Sequence, residues 1–339
     1  MKTAAFRPLT LDRPAPMPTF PAAPAGVAAP RETGARVYFD GRTIVCDGTW
    51  LRIARIFDEV WLDEPPITAP LALIECVRAS QLGADLFTFA QMPPNATPRH
   101  AYHLDFDSLA VADTRDFARW WDALPQESRK NVRKSQKRGV TVAPVEFSDA
   151  LVTGIKRLYD ETPIRQGRRF IHHGKDFSVV KQENATYVGR SQFIGAYLGA
   201  ELIGFLKMVY SGGSARIMQI LASDAHHDKH VTNALLAAAV ELCAKRPAAR
   251  LIYGQYVYGN KRGSSVTEFK RRNNFHEEMI PRYYVPFTTK GRIAIAARVH
   301  RGLTGLVPEP LLNVALGART FAYRGLARCA DRRPSASGS

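Results

Sequence analysis

The sequence predicts an α+β protein of two lobes, each a mixed, largely antiparallel sheet with packed helices. Three observations carry that prediction. Residues 191–221 alternate β-rich runs with tight turns, then give way to one amphipathic helix and a returning strand. Residues 35–145 hold a second mixture of strand and helix patterns. This lobe ends in a helix whose charge is all of one sign, from Arg129 to Arg138.

In chain order, residues 1–34 are rich in Pro and Ala and lack the continuous apolar core of a secretory signal, so they read as a disordered arm. Residues 36–45 carry a strand pattern around the turn Asp40-Gly41. Residues 49–61 fit a helix with Leu51, Ala54, Ile56, Phe57 and Trp61 inward. Residues 71–82 read as a helix, 84–90 and 100–106 as strands, and 114–123 as a helix carrying Trp120-Trp121. Pro125 starts the basic helix and Gly139 stops it, and the first lobe, 35–145, is expected to close there.

The second lobe, 146–290, follows with a helix at 149–160 and an irregular polar loop at 161–176. Strands at 191–198 and 202–210 meet at Gly199-Ala200-Glu201, and Ser211-Gly212-Gly213-Ser214 turns the chain into 215–221. Asp228 opens a helix with Val231, Leu235, Ala238 and Leu242 on one face, ended by Arg246-Pro247, and 250–256 returns as a strand. Residues 291–339 form a basic helical tail with a disordered end.

With 339 residues, 45% of them apolar, the chain is long enough for two cores. Cys46, Cys76, Cys243 and Cys329 lie far apart with no C-x-x-C spacing, which argues against a thiolate zinc site and suits a reducing, cytoplasmic setting. No apolar run of about 18 residues occurs, so any membrane contact is expected to be peripheral, through the tail, on an anionic surface. The formal charge of +16 concentrates at 126–175 and at 290–333, where nine Lys/Arg face only Glu309 and Asp331. His226 and His230 sit one helical turn apart without a third ligand, so no metal is expected.

At about 100° per residue, Arg129, Lys130, Arg133, Lys134, Lys137 and Arg138 project within half of the helix cylinder. No acid lies between Arg129 and Glu146. Either an anionic ligand such as a phosphate backbone sits there, or acids from elsewhere in the fold partner the helix. In the loop that follows, Glu161 and His172 are candidate proton acceptors, and Arg165 and Arg169 are candidate grips for a carboxylate or phosphate. Lys207 and Gln219 are polar residues inside β-rich runs, where burial demands a partner. Tyr253, Tyr258 and Asn260 either line a cleft or belong to aromatic packing.

The basic helix ending in Lys137-Arg138-Gly139-Val140, the β-rich middle, and Glu268-Phe269-Lys270 ahead of Asn274-Phe275 together resemble the GNAT-like superfamily of N-acyltransferases. Within it, they are most similar to the Fem-type branch of peptidoglycan-bridge aminoacyltransferases. The resemblance covers roughly residues 120 to 290. It implies two lobes of the acyl-CoA N-acyltransferase fold and transfer of an acetyl or aminoacyl group by direct attack of an amine. The implied donor bears phosphates, either acyl-CoA or aminoacyl-tRNA. It also implies an active-site role for Lys270, with Phe269 as its packing neighbour.

No G-x-S-x-G elbow is present, in keeping with a mechanism without a covalent intermediate. Two departures stand out. Asn274-Phe275 replaces a frequent Gly-Phe, and the segment ahead of the central helix, 226–234, lacks the glycines that would cradle a CoA pyrophosphate. The competing reading is a non-catalytic binder of nucleic acid or of an anionic membrane surface on the same fold.

Overall fold

A computed structural model of the chain describes residues 35–61, 67–93, 96–165, 168–246, 248–257 and 264–301. The expected arm at 1–34 and the tail from 302 onward lie outside these residues, as do Tyr258 and Asn260.

Strands β1 (Arg36–Phe39) and β2 (Arg42–Asp47) form a hairpin over Asp40 and Gly41, whose φ values of 48° and 74° match the twist of the flanking strands. The helix expected at 49–61 is instead strand β3 (Ile53–Ile56) followed by turns. Buried Ala54 and Ile56 alternate with half-buried Ile53 and Arg55, so the apolar positions obey a period of two as well as a helical one. Helix α1 (Leu71–Ala79) crosses to β4 (Leu86–Ala90), which lies parallel to β3. Strand β5 (His103–Asp113) runs well past its expected end.

Asp116 caps α2 (Phe117–Ala123) by accepting from the Ala118 and Arg119 amides. Helix α3 (Gln126–Lys137) follows Pro125 and stops at Gly139, whose φ of 80° favours glycine. Next come β6 (Val140–Val145), α4 (Asp149–Asp160), the two-residue strands β7 (Ile164–Arg165) and β8 (Arg168–Arg169), and α5 (Phe177–Asn184), a helix the sequence pattern does not reveal. The expected antiparallel meander is β9 (Ser191–Leu198), β10 (Glu201–Ser211) and β11 (Ser214–Ala222). Helix α6 (Val231–Lys245) leads to β12 (Arg250–Gln255), parallel to β11, and then to α7 (Ser265–Arg272), β13 (His276–Pro286) and α8 (Thr289–Ala296).

Among the described residues the strands other than β7 and β8 join one sheet, ordered β1-β2-β3-β4-β13-β5-β12-β11-β10-β9-β6. The boundary expected after residue 145 is not where this sheet divides. Strand β6 pairs with β9, and β13, from the second half of the chain, sits between β4 and β5. An apolar strand pattern reports burial but not the partner that buries it.

The register assigns the faces. Ile280, Arg282 and Tyr284 of β13 lie opposite Asp107, Asp105 and His103 of β5, so these six share one side. Ala110 and Ala112 point the other way and pack with α6, while Tyr283 and Val285 pack with Leu73, Ile74 and Val77 of α1. Thus α1 and α6 cover one face. Helix α4 lies on the other, through Ile155, Leu158 and Tyr159 against Phe193 and Phe205.

Helix α6 is buried nearly all round, from Ala234 to Cys243, rather than along the single stripe expected, because α2 and α3 close over its outer side.

Helix α7 ends in paired reverse bonds. The Phe275 amide donates to Lys270 O at 3.0 Å and the Asn274 amide to Arg271 O at 3.1 Å, with Asn274 at φ 58°. The Asn-for-Gly departure therefore falls on a left-handed position that both residues tolerate. Asn274→Gly should leave stability within a few tenths of a kcal/mol, whereas Asn274→Val should cost about 1–2 kcal/mol. Denaturant titration of the two variants checks this, and equal midpoints would contradict the assignment.

Candidate active site

The face opposite α6 is only partly covered, and between α4, α5 and the turn after β3 it holds a cavity of about 1140 Å³. The wall crosses both halves of the sheet, with Thr88, Asp105, Asp107 and Arg282 at one end and Lys207, Met218 and Gln219 at the other. It includes the unpaired part of a parallel strand pair. Strands β11 and β12 are in register only at Ser214–Arg250, Ala215–Leu251 and Arg216–Ile252, after which they splay. Met218, Gln219, Gln255 and Val257 of the splayed portions all face the cavity.

At the second-half end, His172 stacks on Tyr159 with ring centroids 4.5 Å apart. Its Nδ1 lies 3.4 Å from Glu183 Oε2 and 3.3 Å from Lys175 Nζ. Burial, then Lys175, lowers the His172 pKa against the opposing pull of Glu183, so the ring is neutral at pH 7. Tyr159 donates to Gln219 Oε1 at 2.7 Å, and burial pushes the tyrosine pKa up to about 12. Lys207, the register partner of Gln219, is 2% exposed. Its ammonium donates to Asn184 O, Thr186 O and Thr186 Oγ1 at 2.8, 2.7 and 2.9 Å. The partner that its burial demands is thus the chain leaving α5.

At the first-half end Arg282 donates to Glu59 at 3.1 Å and to Asp107 at 2.5 Å. Burial works against its charge, but the two carboxylates more than offset that and raise its pKa. Asp105 is held by His300 and Arg301. Its pKa falls despite burial because the Arg301 and His300 side chains hydrogen-bond to it. His103, Asp105 and His300 are close enough together to suggest a metal. However, the two His300 nitrogens face Ala294 O and Asp105 Oδ2, and Arg301 covers the carboxylate, so no set of free lone pairs converges there.

Lys270 lies behind this wall rather than in it. It is 0% exposed, and its Nζ donates to Gln255 O and sits 4.7 Å from the Tyr253 ring centroid. Burial pushes its pKa down to about 8. The ammonium therefore fixes the peptide at the edge of the β11–β12 splay. Phe269 and Tyr253 pack on the core around α6, on the far face.

The loop residues divide. His172 reaches the cavity, whereas Glu161 accepts from the Asp224 amide, and Arg165 donates to Ala222 O and pairs with Asp224. Arg169 is exposed and does not line the cavity.

The basic helix is partnered in part. Arg138 bonds Asp228, Arg129 donates to Asp122 O, and Arg133 lies over the Trp121 ring, whereas Val132 and Ser135 are buried against α6. Arg133 and Lys137 remain exposed, and Lys134 is half-buried near His230. His230 itself occupies a left-handed position (φ 52°) just before α6, with Nε2 buried and without a hydrogen bond among the described residues. The histidine-rich entry to α6 therefore does not form the glycine-lined cradle a CoA pyrophosphate would need.

Sequence reading missed Asp58, Glu59, Asp107, Glu183, Tyr187 and Arg282. The one available signal was the pair of acids, Asp105 and Asp107, alternating within a strand.

No family model and no curated protein sequence matches the chain. Among solved structures it is similar to FemX, with 10% identity and a TM-score of 0.53 over 78% of this chain and 90% of that one. The C-terminal domain of a putative lysylphosphatidylglycerol synthetase from Agrobacterium fabrum aligns with 15% identity and a TM-score of 0.51, over 78% and 88%. L-PGS from Bacillus licheniformis aligns with 13% identity and a TM-score of 0.51, over 79% and 89%. The chain thus shares its fold with FemX and with the other two structures, in keeping with the α+β acyltransferase-like architecture that the sequence predicts. No helix among the described residues is long and apolar enough to cross a membrane.

The buried ammonium of Lys207 has a consequence for stability. Burial pushes its pKa from an ordinary 10.5 down to about 7. The unfolded chain therefore binds more protons between those values, and the contribution of this group to stability rises with pH through that window. Relative to Lys207→Met, the wild type should gain on the order of a few kcal/mol between pH 7 and pH 10 in denaturant titrations. A difference that stays constant across the window would contradict this.

Proposed function

We propose that the protein is an N-acyltransferase that passes an acyl group from an activated, phosphate-bearing donor to an amine inside this cavity. The observation that carries the reading is the meeting of a neutral, oriented His172 and the β11–β12 splay in one cavity.

In such a reaction the acceptor amine attacks the donor carbonyl, a C–N bond forms, the ester or thioester bond breaks, and one proton leaves the nitrogen. The splay supplies a backbone edge of β11, residues 217–222, that has no strand partner toward β12 among the described residues. Amide donors there would meet the developing oxyanion, at a value of about 3–4 kcal/mol for a good donor. In the His172 tautomer whose Nδ1–H turns to Glu183, with Lys175 paired to the same carboxylate, Nε2 is left to accept the proton. Lys270 acts through the Gln255 carbonyl, by holding the second edge of the splay in place. Alignment of donor and acceptor supplies the remainder, which reaches about 7–11 kcal/mol in favourable cases.

Aminoacyl-tRNA suits the residues better than acyl-CoA. The entry to α6 lacks the cradle, while Arg133 and Lys137 present exposed cations one helical turn apart on α3, where phosphates could be met. Contact of the tail with anionic lipid is compatible with this reading and is supported only by composition.

The test uses hydroxylamine as a generic amine, with alanyl-tRNA and acetyl-CoA as alternative donors. Wild-type protein should accelerate hydroxamate formation from one donor above the uncatalysed rate, and His172→Gln should lower kcat by about 10²–10⁴-fold. Equal rates in wild type and variant would remove His172 from the chemistry. No acceleration with either donor would count against the activity itself.

A further inference from the structure

Glu183, Asn184, Thr186 and Tyr187 enter the cavity wall from the last turn of α5 and the strained reversal that follows it. Tyr187 has φ 58°, a left-handed position that costs a residue with a side chain about 1–2 kcal/mol. The Ser191 hydroxyl donates to Tyr187 O at 2.7 Å, and Tyr187 itself bonds Asp58 across the cavity. The carbonyls of Asn184 and Thr186, at the C-terminal end of α5, lie where a helix has acceptors but no remaining amides of its own.

We infer that Lys207 is a positioning residue, whose ammonium clamps this reversal and thereby holds the Glu183 carboxylate against His172. The three acceptors around Nζ belong to the reversal, and Thr186 Oγ1 in turn donates to Glu183 O at 2.9 Å, so the clamp reaches the residue that carries the carboxylate. The strand that bears Lys207 lies inside the sheet, between β9 and β11, and Lys207 sits opposite a bulge at Met218 of β11. A rigid strand therefore sets the place of a short helix end. Thr186 O also accepts from the Ser191 hydroxyl at 3.4 Å, so Lys207 and Ser191 hold the reversal together.

The charged and titratable groups facing His172 are Glu183 and Lys175 from the α5 side and Tyr159 from α4. Glu183 raises the His172 pKa, while burial and Lys175 lower it. If the clamp is released, Glu183 leaves and the His172 midpoint falls. Loss of a nearby cation alone would push the midpoint the opposite way, so the direction separates positioning from simple charge removal.

The experiment follows the His172 ring resonances by NMR from pH 4 to 9 in wild type, Glu183→Gln, Lys207→Met and Thr186→Val. Glu183→Gln and Lys207→Met should both lower the midpoint. Thr186→Val, which removes one acceptor and leaves the cation, should lower it by less. Amide exchange at residues 184–188 should quicken by about tenfold or more in Lys207→Met, with β10 and β11 unchanged. A midpoint that stays put or rises in Lys207→Met while it falls in Glu183→Gln overturns the inference. Should Lys207→Met fail to fold, an unshifted midpoint in Thr186→Val overturns it instead. The titration needs no turnover. Failure of the acyl-transfer reading would appear in the hydroxamate assay alone, and failure of the clamp in the titration alone.

Discussion

The insertion of β13 between β4 and β5 is the constraint on which the rest of the molecule depends. Its ladder runs from His276 to Tyr284 against β5 and from Arg282 to Pro286 against β4, and it turns two αβ halves into one continuous sheet. Because the strand alternates, Tyr283 and Val285 go to the core beneath α1, while Arg282 and Tyr284 go to the open face. A single β-strand thus seals a core and furnishes the cavity floor. Arg282 also binds the turn after β3 to the floor through Glu59, and removal of one member of such a buried pair typically costs about 3–5 kcal/mol.

Buried charge in this protein is used to hold backbone rather than to contact solvent. Lys207 gathers the end of α5, and Lys270 holds the Gln255 peptide at the splay. Arg216, 1% exposed, reaches across to Val60 O in the turn beyond β3. Each cation is desolvated, and each is offset by carbonyl acceptors drawn from a segment that lines or borders the cavity. The arrangement makes the cavity stiff at points far apart in sequence, which is what alignment of two substrates requires.

Much of the fold is legible in the sequence, and the losses have physical reasons. The meander from Ser191 to Ala222 and the stop at Gly139 follow from turn and cap chemistry that acts locally. Residues 49–61 did not, because their apolar spacing serves two periods at once. Helix α5 was hidden because Val180 and Asn184 are its only buried residues while Val179 faces out, so no stripe appears. In the site, Lys207 and Gln219 stand out as polar residues inside β-rich runs, and His172 as a proton acceptor in a polar loop. The partnership of Glu59, Asp107 and Arg282 does not, since strand order brings Asp107 and Arg282 together and Glu59 reaches them from the turn after β3. The Phe269-Lys270 pair drew attention to the right neighbourhood, yet nothing in two residues reveals that the ammonium turns inward to a carbonyl.

The account stands or falls on where the acyl group sits. The most direct measurement is photocrosslinking with an aminoacyl-tRNA whose acyl chain carries a diazirine, followed by mapping of adducts by mass spectrometry. The cavity reading predicts adducts on Tyr187, Met218 or Trp61, which line the wall, and their loss when unlabelled donor competes. Adducts confined to α3, or to the face covered by α6, would place the acyl group outside the cavity and contradict it.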